Sequence, residues 1–230
     1  MINDKTYKYE MHMHTRPCSG GGKDICDHID DLMKKGFSGA VVTNHFFHGD
    51  NRIDRSLPWE EFVDAYRQDY LRGLEYAGKV DFDLMFGLEE GVGYGREILL
   101  YGISADAIAA HPELKDVSVE EYISIIHSEG GLVYQAHPYR ARHYVTRPVP
   151  LECLELLDGI EVYNAANEGE WNESAQRLAD ELDLACVAGS DAHGIGTAGR
   201  AGIAAKERIR NNEDLIRVLK SRDYTVFINQ

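Results

Sequence analysis

Histidine and acidic side chains follow short apolar segments at five places along the chain. Each segment has the composition of a β-strand, and each is followed by His, Asp or Glu. A single histidine or carboxylate in such a place is usually an ordinary polar residue. Seven of them at equivalent positions are better explained by one shared metal site. The seven candidates are His12, His14, His45, Glu89, His137, Asp191 and His193.

Spacing and residue type indicate how these side chains bind metal. His12 and His14 are two residues apart, as are Asp191 and His193, and residues two apart on a strand point to the same face. Mixed imidazole and carboxylate ligands suit zinc, manganese or iron better than magnesium. Seven ligands are too many for one tetrahedral ion, so the sequence predicts two or three divalent ions, with Glu89 able to bridge two of them.

The predicted strands and helices alternate along the chain, and this order would bring the seven residues together. Strands are predicted over residues 7–14, 39–45, 82–88, 97–103, 131–136, 159–163, 185–189 and 225–228. Helices are predicted over residues 24–35, 59–77, 118–128, 167–182 and 211–219. The alternation indicates an α/β fold with a mostly parallel sheet, either open or closed into a barrel. In such folds reactive residues gather at the C-terminal ends of strands, where the seven candidates fall.

Length, net charge, apolar runs and cysteine content limit the partners and the cellular location that we expect for this chain. The chain has 230 residues and a formal net charge of -15, which suits one compact domain and disfavours long nucleic acids and anionic membranes as partners. The longest apolar runs are too short to span a membrane, and the first five residues contain no apolar signal segment. Four scattered cysteines are typical of reduced thiols, so we expect a cytoplasmic protein. The sequence does not indicate an oligomeric state.

Six short motifs resemble those of the PHP (polymerase and histidinol phosphatase) family, in the family's order and across nearly the whole chain. They lie at residues 12–15, 43–45, 87–89, 136–138, 161–164 and 189–193. The resemblance implies a distorted (β/α)7 barrel of TIM-like type over residues 1–230, a dinuclear or trinuclear metal centre and phosphoesterase activity. It also implies that the seven candidates are the metal ligands and that Glu89 bridges.

The chain departs from the family pattern in two places. The family usually has an Asp or a further His shortly after the first motif, whereas residues 16–22 contain no carboxylate. Cys18 in that segment is either a thiolate ligand or a buried inert thiol. Many members also have a His on the strand after the bridging Glu, and Glu97 is the candidate to take its place. Both departures leave open whether two or three ions bind.

Hydrolysis of a phosphate ester needs an activated water, neutralised phosphoryl charge and a proton for the leaving group. Asp191 and His193 are the candidate catalytic residues. A metal-bound water, His193 or His45 could supply the leaving-group proton, and the sequence does not choose among them. Arg16 and Arg140 follow ligand motifs, and guanidinium groups bind phosphate well, so both are candidate substrate-binding residues.

Three functions remain open on these residues. The first is hydrolysis of a small phosphorylated metabolite or a nucleotide. The second keeps the metal site but hydrolyses amide-type bonds; such barrels often use a carboxylated lysine as bridge, and no lysine ends a predicted strand. The third is a non-catalytic metal-binding or regulatory module. The sequence does not identify the physiological substrate.

Overall fold

The computed structural model describes residues 6–18, 23–194 and 196–229; the first five residues, in which no signal segment was found, lie outside this range. Within this part of the chain the strands are β1 (Tyr7–Glu10), β2 (Gly39–Val42), β3 (Asp83–Phe86), β4 (Leu88–Gly91), β5 (Glu97–Tyr101), β6 (Leu132–Gln135), β7 (Gly159–Asn164), β8 (Ala185–Gly189), β9 (Ala201–Ala205) and β10 (Tyr224–Ile228). The α-helices are α1 (Ile25–Lys34), α2 (Trp59–Ala77), α3 (Ala105–Ala109), α4 (Val119–Ser128), α5 (Trp171–Leu182) and α6 (Asn212–Ser221). Short 3-10 helices occupy Pro112–Lys115 and Leu154–Leu156.

The strands form two mixed five-stranded sheets, so the expected α/β class is confirmed. Their orders are β10-β9-β1-β2-β3 and β4-β5-β6-β7-β8. Strands β1 to β3 are parallel, as are β6 to β8, whereas β4, β5, β9 and β10 pair in antiparallel fashion. The expectation of a mostly parallel sheet was therefore wrong. The connection between β4 and β5 is too short for the crossover that parallel neighbours need.

Backbone hydrogen bonds join the two edge strands of the second sheet, β4 and β8, to the segments that follow β2 and β1 in the first sheet. Beyond β1 and β8, the amide of Asp191 donates to the His12 carbonyl at 2.8 Å, and the amide of His14 donates to Ala192 at 3.0 Å. Beyond β2 and within β4, the amide of Glu89 donates to the Asn44 carbonyl at 3.0 Å. These bonds bring the segments that carry the ligand candidates to one end of the fold.

A central apolar core lies beneath that end and receives side chains from both sheets. Tyr9, Val41, Met85, Leu99 and Val187 are among its buried members. Helices α1, α2 and α4 cover other faces of the sheets with further buried apolar clusters. No helix within the described ranges is long and apolar enough to cross a membrane.

Helix signals in the sequence were accurate where capping and apolar periodicity agreed. Helix α2 has the predicted bounds, and α4 begins with the predicted capping box between Ser118 and Glu121 and ends at Ser128. Strand β9 was missed because its sequence, Ala-Gly-Ile-Ala-Ala, has little β-propensity. Its small residues have a packing reason, since a Cβ atom on Gly202 would collide with the carbonyl oxygen of Tyr9.

Candidate metal centre

The first group of donors surrounds His12 and His14 just beyond β1. The two Nε2 atoms are 3.1 Å apart. His12 Nε2 lies 3.3 Å from Glu89 Oε1, and His14 Nε2 lies 3.4 Å from Glu89 Oε2. Asp191 Oδ1 lies 3.1 Å from His14 Nε2 and 3.6 Å from His12 Nε2. Five donor atoms from four residues therefore converge on one region.

Strand geometry does not explain this convergence. Strand β1 ends at Glu10, and the backbone bends at His12. Met11 packs in the central core and Met13 packs beneath α1, so alternation along a regular strand does not continue through this segment. The two histidines converge because hydrogen bonds to the segment after β8 hold the backbone.

Further donors approach Glu89 from the side of β2 and β6. His45 Nδ1 lies 2.9 Å from Glu89 Oε2, and His137 Nε2 lies 3.1 Å from Glu89 Oε1. Glu97 on β5 lies beside the same two imidazoles. Glu89 is thus the common neighbour of four histidines, which is the position of a bridging carboxylate.

These side chains fit a divalent cation by two tests. With metal–ligand bonds of about 2.0–2.2 Å, donors around one ion are separated by about 3.0–3.5 Å, and the distances above fall close to this range. In addition, His45 Nδ1 and Glu89 Oε2 are buried and close together without the geometry of a hydrogen bond. Buried polar atoms left without a partner are costly, and a cation between them removes that cost.

Unusual backbone conformations present two of the candidates. His137 follows β6 with φ 28°, and Asp191 follows β8 with φ 48°. Residues other than glycine seldom adopt positive φ, and such strain clusters at functional sites. Asp191 and His193 lie close together, as the sequence predicted. The reason given, regular strand spacing, was wrong, because the backbone turns at Asp191. His193 Nδ1 lies 3.4 Å from Asp191 Oδ1.

His193 lies at the edge of this group, next to an open pocket. Its ring stacks on that of His14 with centroids 4.1 Å apart, and 33% of its side chain is exposed. His14, His45 and His193 also bring three ring nitrogens within one ion's reach. The pocket has a volume of about 690 Å³. Its lining residues are His45, His48, Gly49, Asp50, Gly91, Gly93, Gly95, Arg96, Glu97, Arg140, Tyr144, Asp191 and His193.

Comparison with known proteins supports the family resemblance. The family model described as PHP-associated matches residues 169–224, the part of the chain that contains Asp191 and His193. A two-domain Bacteroides vulgatus protein, described as containing a predicted PHP-like metal-dependent phosphoesterase, superimposes with a TM-score of 0.74 at 18% identity over 98% of this chain. The chain is similar to PHP-like proteins in its fold and over this matched segment. It spans 65% of the length of the Bacteroides protein.

Other solved structures share the fold of this chain. A candidate metal-dependent phosphoesterase from Bifidobacterium adolescentis has a TM-score of 0.59 at 17% identity over 92% of this chain and 95% of its own. The lesion-specific endonuclease EndoQ from Pyrococcus furiosus has a TM-score of 0.64 at 10% identity over 96% of this chain and 58% of its own. No curated protein sequence matches the chain. At these identities the likeness concerns the fold.

Behind His12, a second carboxylate orients the ring. Glu161 on β7 accepts a hydrogen bond from His12 Nδ1 at 2.9 Å, from the His137 amide at 3.0 Å and from Asn164 Nδ2 at 2.9 Å. Burial lowers the pKa of His12, but Glu161, Glu89 and Asp191 together raise it well above its ordinary value. The sequence placed Glu161 in a motif but indicated no role for it.

Cys18 lies behind His14 and does not point at the metal donors. Its Sγ is 3.4 Å from His14 Nδ1, on the ring edge away from Nε2, and 3.3 Å from Asn44 Oδ1. Burial raises the pKa of the Cys18 thiol to about 12, so the thiol is neutral at physiological pH. Burial and neighbouring His45 lower the pKa of His14 to about 3, which keeps that ring neutral. This geometry favours the inert-thiol alternative.

The two candidate arginines have different surroundings. Arg140 is buried at the pocket, where Nη2 donates to Asp191 Oδ2 at 2.6 Å and Nε donates to Asn167 Oδ1 at 3.0 Å. Burial raises the pKa of Asp191, but His12 and Arg140 hold it well below its ordinary value. Arg16 has 67% of its side chain exposed and lies 3.5 Å from Asp24. The structure therefore brings Arg140 to the pocket and does not bring Arg16 there.

Proposed function

We propose that this chain is a metal-dependent phosphoesterase that hydrolyses a small phosphorylated metabolite or a nucleotide. The observation that carries the proposal is the convergence of five histidines and Asp191 around Glu89 at the floor of an open pocket. The proposed ligands are His12, His14, His45, Glu89, His137, Asp191 and His193. They would hold two or three divalent ions of zinc, manganese or iron.

Bound divalent ions at such a site supply an activated water and Lewis-acid stabilisation of phosphoryl charge. The protein's own contribution begins with the orientation of its donors. Glu161 holds His12 by Nδ1, and Cys18 contacts His14 on the Nδ1 side, so each ring presents Nε2 to the centre. Because these contacts are buried, the rings need little reorganisation when they act.

Charge on the substrate would be met by Arg140. Its guanidinium is fixed by Asp191 and Asn167 and lines the pocket beside the metal donors. A planar, permanently charged group held in this way suits phosphoryl oxygens. His193 is also the partly exposed candidate for the leaving-group proton, in the case that it is not a metal ligand. Its Nδ1 lies 3.1 Å from the Asp191 carbonyl, so only Nε2 is left for one of these two tasks.

The pocket and the charge of the chain favour a small substrate. A volume of about 690 Å³ is within the range of small-molecule sites. The net charge of -15 disfavours long nucleic acids. Because one protein of similar fold is an endonuclease, short phosphodiesters belong among the substrates to be tested.

The fold supports a finer architectural proposal. The two sheets share a core, and hydrogen bonds join both edge strands of the second sheet to the first, which is consistent with the distorted (β/α)7 barrel that the resemblance implies. We propose that residues 1–230 form one domain of this kind.

A substrate panel with metal-stripped protein tests the function. Hydrolysis of an aryl phosphate should be absent after chelation and return with manganese, zinc or iron. His12→Ala and Asp191→Ala should abolish it. The matched control is His127→Ala, because His127 is bonded to Asp158 at 2.8 Å on the surface of α4 and should not affect turnover. Full activity without metal would exclude the proposal. Hydrolysis of amides alone, or inertness towards the whole panel, would favour the alternatives.

A further inference from the structure

Glu97 lies between His45 and His137 on the β2 and β6 side of the centre. Its Oε1 lies 3.3 Å from His45 Nδ1, and its Oε2 lies 3.4 Å from His137 Nε2. The same two nitrogens lie 2.9 Å and 3.1 Å from the two oxygens of Glu89. Each carboxylate–imidazole pair is therefore separated by close to the distance expected around an ion of zinc or manganese, about 3.0–3.5 Å. Donor atoms of His45, Glu89 and Glu97 all lie within 4.8 Å of one another.

A hydrogen-bonded ion-pair network alone explains this arrangement less well. Two carboxylates face the same pair of nitrogens, and like charges this close repel each other unless a cation lies between them. Moreover, His45 Nδ1 lacks hydrogen-bond geometry to either carboxylate although both are close. A cation between His45, Glu89 and Glu97 satisfies these three groups together.

We propose that Glu97 is a metal ligand and that it forms the second metal position with Glu89 and His45. The inference rests on the metal centre of the proposed function. Two carboxylates and one imidazole make this position harder than the set of one carboxylate and two imidazoles that a histidine in place of Glu97 would produce. Harder oxygen ligands favour manganese and iron relative to zinc. Glu97 therefore sets the metal preference of this chain.

Metal titration of purified full-length protein tests the assignment without reference to catalysis. Mn²⁺ would be titrated into chelator-treated protein by calorimetry, and bound metal would be counted by elemental analysis. Glu97→Gln keeps the size of the side chain but removes its charge, and should lose one equivalent or weaken it by more than about 100-fold, beyond the effect of an outer partner. The control Glu75→Gln changes an exposed carboxylate on α2 that pairs with Lys79, and this variant should bind Mn²⁺ like the wild type.

Two further readouts separate a ligand from a structural residue. Without metal, Glu97→Gln should melt at or above the wild-type temperature because it removes repulsion with Glu89, while the stabilisation by Mn²⁺ should shrink. Glu97→His should keep the stoichiometry and raise the ratio of zinc to manganese affinity by at least about 10-fold. Unchanged Mn²⁺ stoichiometry and affinity in Glu97→Gln would overturn the assignment, as would a wild type that binds no metal. Metal binding that depends on Glu97 without ester hydrolysis would refute only the proposed function.

Discussion

Replacing Glu161 with glutamine tests whether a buried carboxylate sets the metal affinity of His12. Three N–H donors converge on its two oxygens: His12 Nδ1, the His137 amide and Asn164 Nδ2. Glutamine has nearly the same shape but offers one oxygen and one NH₂ group. At least one of the three donors must then face another donor.

This mismatch lowers either the metal affinity or the folding stability, depending on which donor the new NH₂ group faces. If the new NH₂ group faces His12, the ring must take the other tautomer, which places its proton on the nitrogen that faces the metal. Loss of such an outer partner typically weakens metal binding by about 10–100-fold, or about 1.4–2.7 kcal/mol. If it faces the His137 amide instead, a buried donor is left unsatisfied at a cost of about 1–3 kcal/mol of folding free energy.

Calorimetric titration with Mn²⁺ measures the loss of metal affinity, and thermal melting measures the loss of folding stability. We expect weaker binding in Glu161→Gln and recovery of activity at high metal concentration, because the ligand itself is retained. Ser118→Ala is the control for general instability: it removes the cap of α4, costs about 1 kcal/mol and should not alter metal affinity. Wild-type metal affinity in a folded Glu161→Gln protein would refute the orienting role.

Three other predictions follow from neighbouring contacts. Arg140→Lys keeps the charge but loses the paired contacts with Asp191 and Asn167, so kcat/KM should fall by about 10–100-fold, the value of about 1.5–3 kcal/mol for a charged hydrogen bond; an unchanged value argues against phosphate binding there. Cobalt-substituted protein should show no sulfur-to-metal charge-transfer band, since Cys18 lies behind His14, and a band that Cys18→Ser abolishes would prove thiolate ligation. Burial lowers the pKa of His28 to about 4, whereas the unfolded chain has the ordinary value of about 6.5. The folded state therefore holds His28 neutral, and the free energy of unfolding falls as the pH decreases from about 6.5 towards 4. Metal-free wild type should therefore lose about 2 kcal/mol more than His28→Leu between pH 7.5 and pH 5, and equal losses by denaturant unfolding would contradict this.

The sequence predicted the convergence of the candidates better than the backbone that produces it. Apolar segments followed by His or acidic residues were enough to place the donors at one end of the fold. The mechanism of convergence was less predictable, since His12 and His14 lie beyond the end of β1 and Asp191 adopts positive φ. These are local departures from regular strands, and they are fixed by hydrogen bonds between distant segments.

Residues that act through another residue were hardest to find. Glu161 and Cys18 reach the centre only through the imidazoles of His12 and His14, so neither has a sequence spacing that reveals its role. Arg16 illustrates the opposite error. It follows a ligand motif directly, yet its side chain is largely exposed and close to Asp24. Proximity along the chain predicts the position of a backbone segment, but the direction of a side chain depends on tertiary contacts.

Protons and divalent ions compete for the same nitrogen atoms at this centre. The carboxylates that attract cations also raise the pKa of His12 and His45 well above the ordinary value, against the effect of burial. An imidazolium cannot bind a metal, so an ion that binds these rings must displace their protons, and its affinity must fall as the pH falls. His14 differs, because burial and His45 keep its pKa low. The first group of donors therefore combines one ring that is already neutral with one that must release a proton from Nε2. Glu161, which orients His12 through Nδ1, also favours the charged form of the ring that the metal must compete with.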